Sequence, residues 1–170
     1  MTQTTELVQK VQEWAEARNL IKGSTPVKQC VKLFEEFGEL ARGIAKQDPL
    51  LTKDSIGDTA VVCIILLAQL GKKDIPLPPP YWTAPAEGVK HHKEYAVMHL
   101  CEEIGRASFW LNRAAGKTDH ALGAVMAILD GLCTVARVCD TTIDECLALA
   151  YNEIKDRKGK MVDGVFIKEE

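Results

Sequence analysis

The sequence predicts an all-α fold, a bundle of about six helices that ends in a short C-terminal β-hairpin. Apolar residues recur at spacings of three and four along most of the chain, which is the period of amphipathic helices. Boundary signals such as Thr25-Pro26 and Asp48-Pro49 separate these segments. With 170 residues, 46% of them hydrophobic, the chain can bury a substantial core, and we interpret residues 1–170 as a single domain.

Three helices are predicted in the N-terminal part. The first spans about 5–19, the second runs from a Thr25 cap to about 46, and the third runs from near 52 to a terminating Gly71. After Thr59 the third helix is apolar on all sides, so it should be buried on all sides. A three-helix unit is too small to cover it, and we expect a repeat of the unit or a second subunit against it.

A Pro-rich linker follows at 72–90, in which Tyr81 and Trp82 are interpreted as anchors or pocket residues. Further helices are predicted at about 90–115, 119–139 and 143–157, and Thr142 begins the last one with a capping box. Asp163-Gly164 between apolar pairs predicts the terminal hairpin.

A short internal similarity indicates a repeat. The stretch LFEEFGE at 33–39 resembles LCEEIGR at 100–106, and each precedes an apolar helix that carries one acid, Asp58 or Asp130. We therefore interpret residues 91–141 as a degenerate second helical pair. Two such pairs would form a four-helix bundle with pseudo-twofold symmetry.

Composition excludes several classes of protein. A net charge of −3 disfavours a general nucleic-acid-binding surface. The six cysteines form no CxxC pair and fall in apolar patterns, which is typical of a reducing compartment. The N-terminus shows no signal peptide, and the longest apolar run, 60–68, is too short to span a membrane. We expect a cytoplasmic protein with no membrane partner.

Two groups of charged residues carry the chemistry. Glu35, Glu36 and Glu39 lie on the second predicted helix, and Asp54 and Asp58 open the third. Acids three and four residues apart on a helix repel each other by about 0.2–0.5 kcal/mol per pair, which a bound divalent cation would offset. The same spacing also fits a solvated acidic face paired with basic neighbours such as Lys32.

The second group is basic and follows the last helix: Asn152, Lys155, Arg157, Lys158 and Lys160. Such side chains bind phosphate oxygens, although they also suit the last turn of any helix, where the dipole is negative. Acids for a metal and bases for phosphates together indicate a nucleotide polyphosphate site.

At these residues the chain resembles the MazG-type all-α nucleoside triphosphate pyrophosphohydrolases. Lys32 to Asp58, with EExGE and DSIGD, is similar to the family pattern EExxE and ExxD. Residues 150–161 and Asp163 to Phe166 resemble the closing segment of small MazG-like proteins of phages and mobile elements. The QxWAxxRNL stretch near the N-terminus fits as well. The extra helical pair resembles the dimeric dUTPase branch.

The resemblance implies a magnesium site and a catalytic group. Glu36, Glu39 and Asp58 would bind Mg²⁺, with Asp54 as a further ligand and Mn²⁺ as a substitute. Glu35 would be a ligand or the base that orients water, so Glu35, Glu36 and Glu39 form the catalytic set.

It also implies a substrate pocket. Lys155 and Arg157 would hold the triphosphate, with Asn152 nearby. Gln29 and Lys32 would line the base pocket. Trp14 would stack on the base or pack in the core, and the sequence leaves both readings open.

The reaction implied is hydrolysis of a nucleoside triphosphate, by preference a deoxynucleotide, to the monophosphate and diphosphate, in control of the nucleotide pool. A homodimer or homotetramer is expected, in the host cytoplasm if a phage encodes the chain. One departure matters, because Ser55 stands where the family has the Glu of ExxD. The alternative is a catalytically inactive nucleotide-binding or dimerisation module. A ferritin-like iron bundle would need Glu-x-x-His pairs, and the sequence has none.

Overall fold

The computed structural model describes residues 3–77, 92–113 and 118–169, and within them the chain is all-α with a C-terminal hairpin. The elements are α1 (Gln3–Ala17), α2 (Leu20–Gly23), α3 (Pro26–Lys46), α4 (Pro49–Gln69), α5 (Lys93–Leu111), α6 (Thr118–Val138), α7 (Ile143–Ile154), β1 (Gly159–Val162) and β2 (Val165–Lys168). The predicted fold class is confirmed. Most of the Pro-rich linker, including Tyr81 and Trp82, lies outside the described residues.

Local sequence signals account for most boundaries. The Thr25 side chain caps α3 by accepting from the Lys28 backbone N–H, and Thr142 caps α7 in the same way. Gly71 has φ 89°, and the two bonds from Gly71 and Lys72 to carbonyls of the last turn complete a Schellman motif after α4. The turn of the hairpin uses Asp163 and Gly164, both at positive φ.

Several boundaries differ from the predictions. Helix α5 begins at Lys93, not near 90, and α7 ends at Ile154, not near 157. Two further differences have a local cause. The fourth helix begins at Pro49, not near Thr52, because the Asp48 side chain accepts from the N–H groups of Leu50 and Leu51 and Pro49 occupies the first turn. The first predicted helix ends early, at Ala17, and the chain then makes the short helix α2 after Asn19 adopts a left-handed conformation. With this short helix, the described residues contain seven helices, where about six were predicted.

The core is organised around α4. Helices α3, α6, α7 and α1 all pack against it, and side chains such as Ile64, Leu66 and Leu67 have no exposed surface. Gly57 permits the closest of these contacts, since a Cβ there would lie 2.2 Å from the carbonyl oxygen of Cys146 in α7. The apolar helix that required neighbours on all sides therefore finds them within one chain, and its burial requires no second subunit.

The two helical pairs have similar architecture. Helix α3 packs along α4, α5 packs along α6, and contacts of α4 with α6 and of α3 with α5 join the pairs. Equivalent positions have equivalent burial, as Leu33 and Leu100 are fully buried, and Glu36 and Glu103 are each 5% exposed. This is the arrangement expected of the internal repeat.

Among the described helices, α6 is long and apolar enough to cross a membrane by length and composition. Over half of that stretch, 56%, is buried against the rest of the protein, and the core helix of a soluble protein passes the same test. The sequence analysis considered only the longest apolar run, 60–68, as a possible membrane span and did not identify α6 as one.

Candidate functional site

A cavity of about 520 Å³ lies between α3, α4, the end of α7 and the hairpin, with Trp14 of α1 in its wall. Nine of the eleven candidate site residues line it: Trp14, Gln29, Lys32, Glu35, Glu36, Glu39, Asp54, Asp58 and Arg157. The short connection between α3 and α4 makes these helices a hairpin, which brings the acids of both to one wall. Residues separated by up to 143 positions in the chain thus meet in one place.

The acidic wall is crowded. Glu36 is buried, and Asp58 is largely so. Burial, together with the nearby charges of Glu36, Asp54 and Glu153, raises the pKa of Asp58 to about 7, while Arg157 opposes them. Burial also raises the pKa of Asp54, with Glu153 and Glu39 adding to the effect. The folded protein therefore holds carboxylates together against their repulsion.

Lys32 offsets part of this charge. Its Nζ lies 2.9 Å from Oε2 of Glu35 and 2.5 Å from Oε1 of Glu36. Among the residues that the structure describes, no three His, Cys, Asp or Glu side chains form a group ready to hold a metal ion.

The residues fit a hard divalent cation by chemistry. The donors are carboxylates only, which is the ligand type of Mg²⁺ and Mn²⁺. Burial and the neighbouring acids both disfavour the charged form of Asp58, and a divalent cation beside it would offset these costs. Glu36, Glu39, Asp54 and Asp58 are the residues that could hold it.

Ser55 faces the core and not the cavity. Ser55 is 1% exposed, and its hydroxyl has no hydrogen-bond partner among the described residues, whereas Asp54 and Asp58 line the cavity. The acid pair at i and i+4 thus faces the cavity on α4, and a Glu at position 55 would have to leave the core to reach it.

Cations also line the cavity. Arg157 is one of them, and it also pairs with Glu153. Asn152 and Lys155 do not line the cavity, because their exposed side chains bond to each other, Lys155 Nζ donating to Asn152 Oδ1 over 3.1 Å. Of the three candidate phosphate ligands, only Arg157 therefore lies at the site.

Sequence reasoning missed two other lysines of the cavity, Lys28 and Lys168. Lys28 lies four residues before Lys32 on the same face of α3, and that spacing was a signal in the sequence. Lys168 comes from β2, and only the folding of the hairpin against α3 brings it here. Lys28 Nζ donates to the carbonyl oxygen of Asp163 in the turn, which fixes the hairpin at the cavity.

The remaining wall is apolar. It contains Leu20, Val61, Val62, Ile65 and Phe166. Beside them Gln29 is 7% exposed, and no described residue forms a hydrogen bond with its side-chain amide. An apolar surface with one free amide suits a nucleobase, which has an apolar face and a polar edge.

Trp14 has a clear structural role. Its Nε1 donates to the carbonyl oxygen of Ile154 over 2.7 Å, its ring meets Phe166 edge-on at 6.2 Å, and the Arg18 guanidinium lies 4.9 Å from the ring centre. These contacts join α1 to the end of α7 and the hairpin. They support the core-packing reading of Trp14, and stacking on a base stays a prediction.

The second helical pair lacks this site. Arg106 stands at the position equivalent to Glu39 and pairs with Glu103. His99 replaces Lys32, with Nδ1 3.9 Å from Glu102 and 4.0 Å from Glu103. Burial raises the pKa of Asp130, and the charge of His99 opposes this. The acid-rich wall is thus specific to the first pair.

Comparison with known proteins gives one relative. The chain is 52% identical over 69 residues to a protein of Haemophilus phage HP1 (strain HP1c1), whose name is "Uncharacterized 18.2 kDa protein in rep-hol intergenic region". The match covers 41% of this chain and 42% of the phage protein, less than half of each. No family model and no solved structure matches the chain.

Proposed function

We propose that the protein is a Mg²⁺-dependent nucleoside triphosphate pyrophosphohydrolase, which converts a triphosphate and water to the monophosphate and diphosphate. The observation that carries this proposal is the composition of one cavity. Carboxylates of α3 and α4 line it together with cations of α3, of the segment after α7 and of the hairpin, beside an apolar wall with a free amide. These three kinds of surface are complementary to the metal ion, the phosphates and the base of a metal-bound nucleoside triphosphate.

Each surface has a role in the reaction. Glu36, Glu39, Asp54 and Asp58 would hold Mg²⁺, which when bound polarises the phosphates and lowers the pKa of a bound water. Arg157, Lys28 and Lys168 would neutralise the phosphate oxygens and the leaving diphosphate. Those last two lysines replace Lys155 and Asn152 in our assignment.

Glu35 would position the attacking water. Its carboxylate lies at the cavity with 62% of its side chain exposed, so it can reach a solvent molecule, and only Lys32 pairs with it among the described residues. Glu36 is too deeply buried for this role, with 7% of its side chain exposed. We therefore assign the base to Glu35 and the firmest metal contact to Glu36.

The second candidate is a nucleotide-binding module without turnover. The absence of a ready three-acid group among the described residues favours it. Both candidate functions use the same cavity. They differ in whether a metal ion binds there and supports hydrolysis.

The experiment is an assay of diphosphate release from a panel of ribo- and deoxynucleoside triphosphates with Mg²⁺, Mn²⁺ or EDTA. The proposal expects metal-dependent monophosphate and diphosphate, with one preferred base and a preference for deoxyribose. Nucleotide binding in a calorimeter without turnover in either metal would favour the module. Neither binding nor turnover would reject both.

A further inference from the structure

One lysine holds two acids of the cavity at the same time. The ammonium of Lys32 lies 2.9 Å from Oε2 of Glu35 and 2.5 Å from Oε1 of Glu36. Glu36 has 7% of its side chain exposed, and no other residue in the described part of the chain forms an ion pair with it. A buried carboxylate without a cation is costly, so Lys32 is the group that offsets the burial of Glu36.

A buried acid at this position has a basic neighbour on its own helix in both helical pairs. Glu103, the equivalent of Glu36, pairs with Arg106 and lies 4.0 Å from Nδ1 of His99. Lys32 is the equivalent of His99, and the first pair has no basic residue at the position of Arg106. The acid that lines the cavity is thus held by one cation, whereas two basic side chains adjoin the acid that does not.

The position of Lys32 opposes the binding of a metal ion. Glu36 is the acid to which we assign the firmest metal contact, and the ammonium already donates to it. Metal ions and ammonium groups use the same carboxylate lone pairs, and two cations on one buried carboxylate repel each other. Glu35, the acid that we assign to the attacking water, is occupied by the same ammonium.

The cavity offers Lys32 a second kind of partner. It shares the cavity with the three cations that we assign to the phosphates, Arg157, Lys28 and Lys168. Its side chain is 46% exposed, so packing does not fix it, and a lysine ammonium can turn on its long stem. Phosphate oxygens in this cavity would give Lys32 an anionic partner in exchange for the two acids.

We propose that Lys32 couples metal binding to triphosphate binding, because it holds Glu35 and Glu36 until the phosphates of a substrate draw it away. In the absence of a triphosphate the ammonium keeps both acids paired, and the site binds metal weakly. When a triphosphate binds, the charge of Lys32 moves to the phosphates and both acids are released. This coupling rests on the proposed function, and it takes Lys32 out of the base pocket.

The test measures two probes by calorimetry with the full chain. They are Mn²⁺ alone, and the equimolar complex of Mn²⁺ with inorganic tripolyphosphate, which carries no base. Lys32→Gln should bind Mn²⁺ alone about tenfold more tightly than the wild type, because a charged hydrogen bond no longer competes for Glu36. The same variant should bind the complex about tenfold less tightly, because an ion pair with phosphate is lost. Lys32→Arg retains the cation and should bind Mn²⁺ alone as the wild type does.

Lys168→Gln is the matched control. Lys168 also lines the cavity but does not bond to Glu35 or Glu36. Its loss should weaken binding of the complex and should change the affinity for Mn²⁺ alone less than about threefold, since only a screened charge is removed. Equal effects of Lys32→Gln and Lys168→Gln on Mn²⁺ alone would overturn the coupling and leave the proposed function standing. A wild type that binds neither probe would overturn both.

Nitrogen-15 spectroscopy of the wild type tests the coupling without relying on the folding of a variant. The ammonium resonance of Lys32 is assigned by its loss in Lys32→Arg, and Mg²⁺ replaces the paramagnetic Mn²⁺. This resonance should shift when the Mg²⁺ complex of tripolyphosphate is added and should change little with Mg²⁺ alone. A resonance that does not respond to the complex, or that responds equally to both, contradicts the proposal.

Discussion

Replacing Asp58 with Asn should make the metal-free protein more stable and should remove its response to Mg²⁺. In the folded protein burial and the neighbouring acids raise the pKa of Asp58 from 3.8 to about 7. The folded state therefore binds a proton more tightly than the unfolded state does. Stability from this group is fully present below pH 3.8 and is lost as the pH rises toward 7.

The magnitude follows from that shift. Each pKa unit corresponds to about 1.4 kcal/mol, so a shift of about three units gives an upper value of about 4 kcal/mol above pH 7. Water in the cavity screens the charge, and we expect about 1–3 kcal/mol in practice. An Asn side chain has the same shape and carries no charge, so the variant should gain this amount at pH 8 and much less at pH 5.

The assay is urea unfolding in EDTA at both pH values, with the exposed Asp74→Asn as the control. Mg²⁺ should then stabilise the wild type by mass action and leave the Asp58→Asn variant unchanged. An Asn variant that is less stable than the wild type at pH 8 would refute the electrostatic reasoning. An equal effect of Mg²⁺ on both proteins would refute the metal assignment.

Two further predictions separate site residues from their neighbours. Arg157→Met should raise KM for the triphosphate about tenfold or more, since a charged hydrogen bond contributes about 1.5–3 kcal/mol, whereas Lys155→Met, outside the cavity, should change it little in steady-state kinetics. Gly57→Ala should cost more than about 2 kcal/mol in urea unfolding, because its methyl group would collide with the carbonyl of Cys146. Gly123→Ala, where a Cβ meets nothing, should gain about 0.5–1 kcal/mol, and a Gly57→Ala variant as stable as the wild type would contradict the close packing of α4 and α7.

Element boundaries could be predicted from the sequence wherever a cap or turn residue interacts with the backbone of neighbouring residues. Thr25, Thr142, Gly71 and Asp163-Gly164 each fix a boundary within a few residues, and all are readable in a sequence. The start of α4 was misplaced because Asp48-Pro49 was interpreted only as a break after α3. The same pair caps the next helix.

The site was predicted in part for a related reason. Helical spacing places Glu36 and Glu39 on one face of α3, and Asp54 and Asp58 on one face of α4, before any tertiary structure is known. The packing of the segment after α7 against α1 decides which of its side chains face the cavity. Arg18 takes part in this packing, because its guanidinium donates to the carbonyl oxygens of Lys155 and Arg157. The spacing of residues in the sequence does not predict this contact. The sequence therefore could not show that Arg157 lines the cavity while Asn152 and Lys155 do not.

The contribution of the hairpin could not be predicted either. Lys168 reaches the cavity because Lys28 bonds to the turn and Phe166 packs on Trp14. These are contacts between the two ends of the chain.

The most direct test of the central claim compares two buried glutamates at equivalent positions of the repeat. Glu36 and Glu103 each have 7% of their side chain exposed and each pair with a cation, but only Glu36 lines the cavity. The measurement is Mg²⁺-dependent diphosphate release by the wild type, Glu36→Gln and Glu103→Gln. We predict a loss of more than about a hundredfold in Glu36→Gln, because removing even the partners of metal ligands costs about 10–100-fold, and near-normal activity in Glu103→Gln. Equal activity in the two variants, or none in the wild type with any triphosphate, would contradict the account.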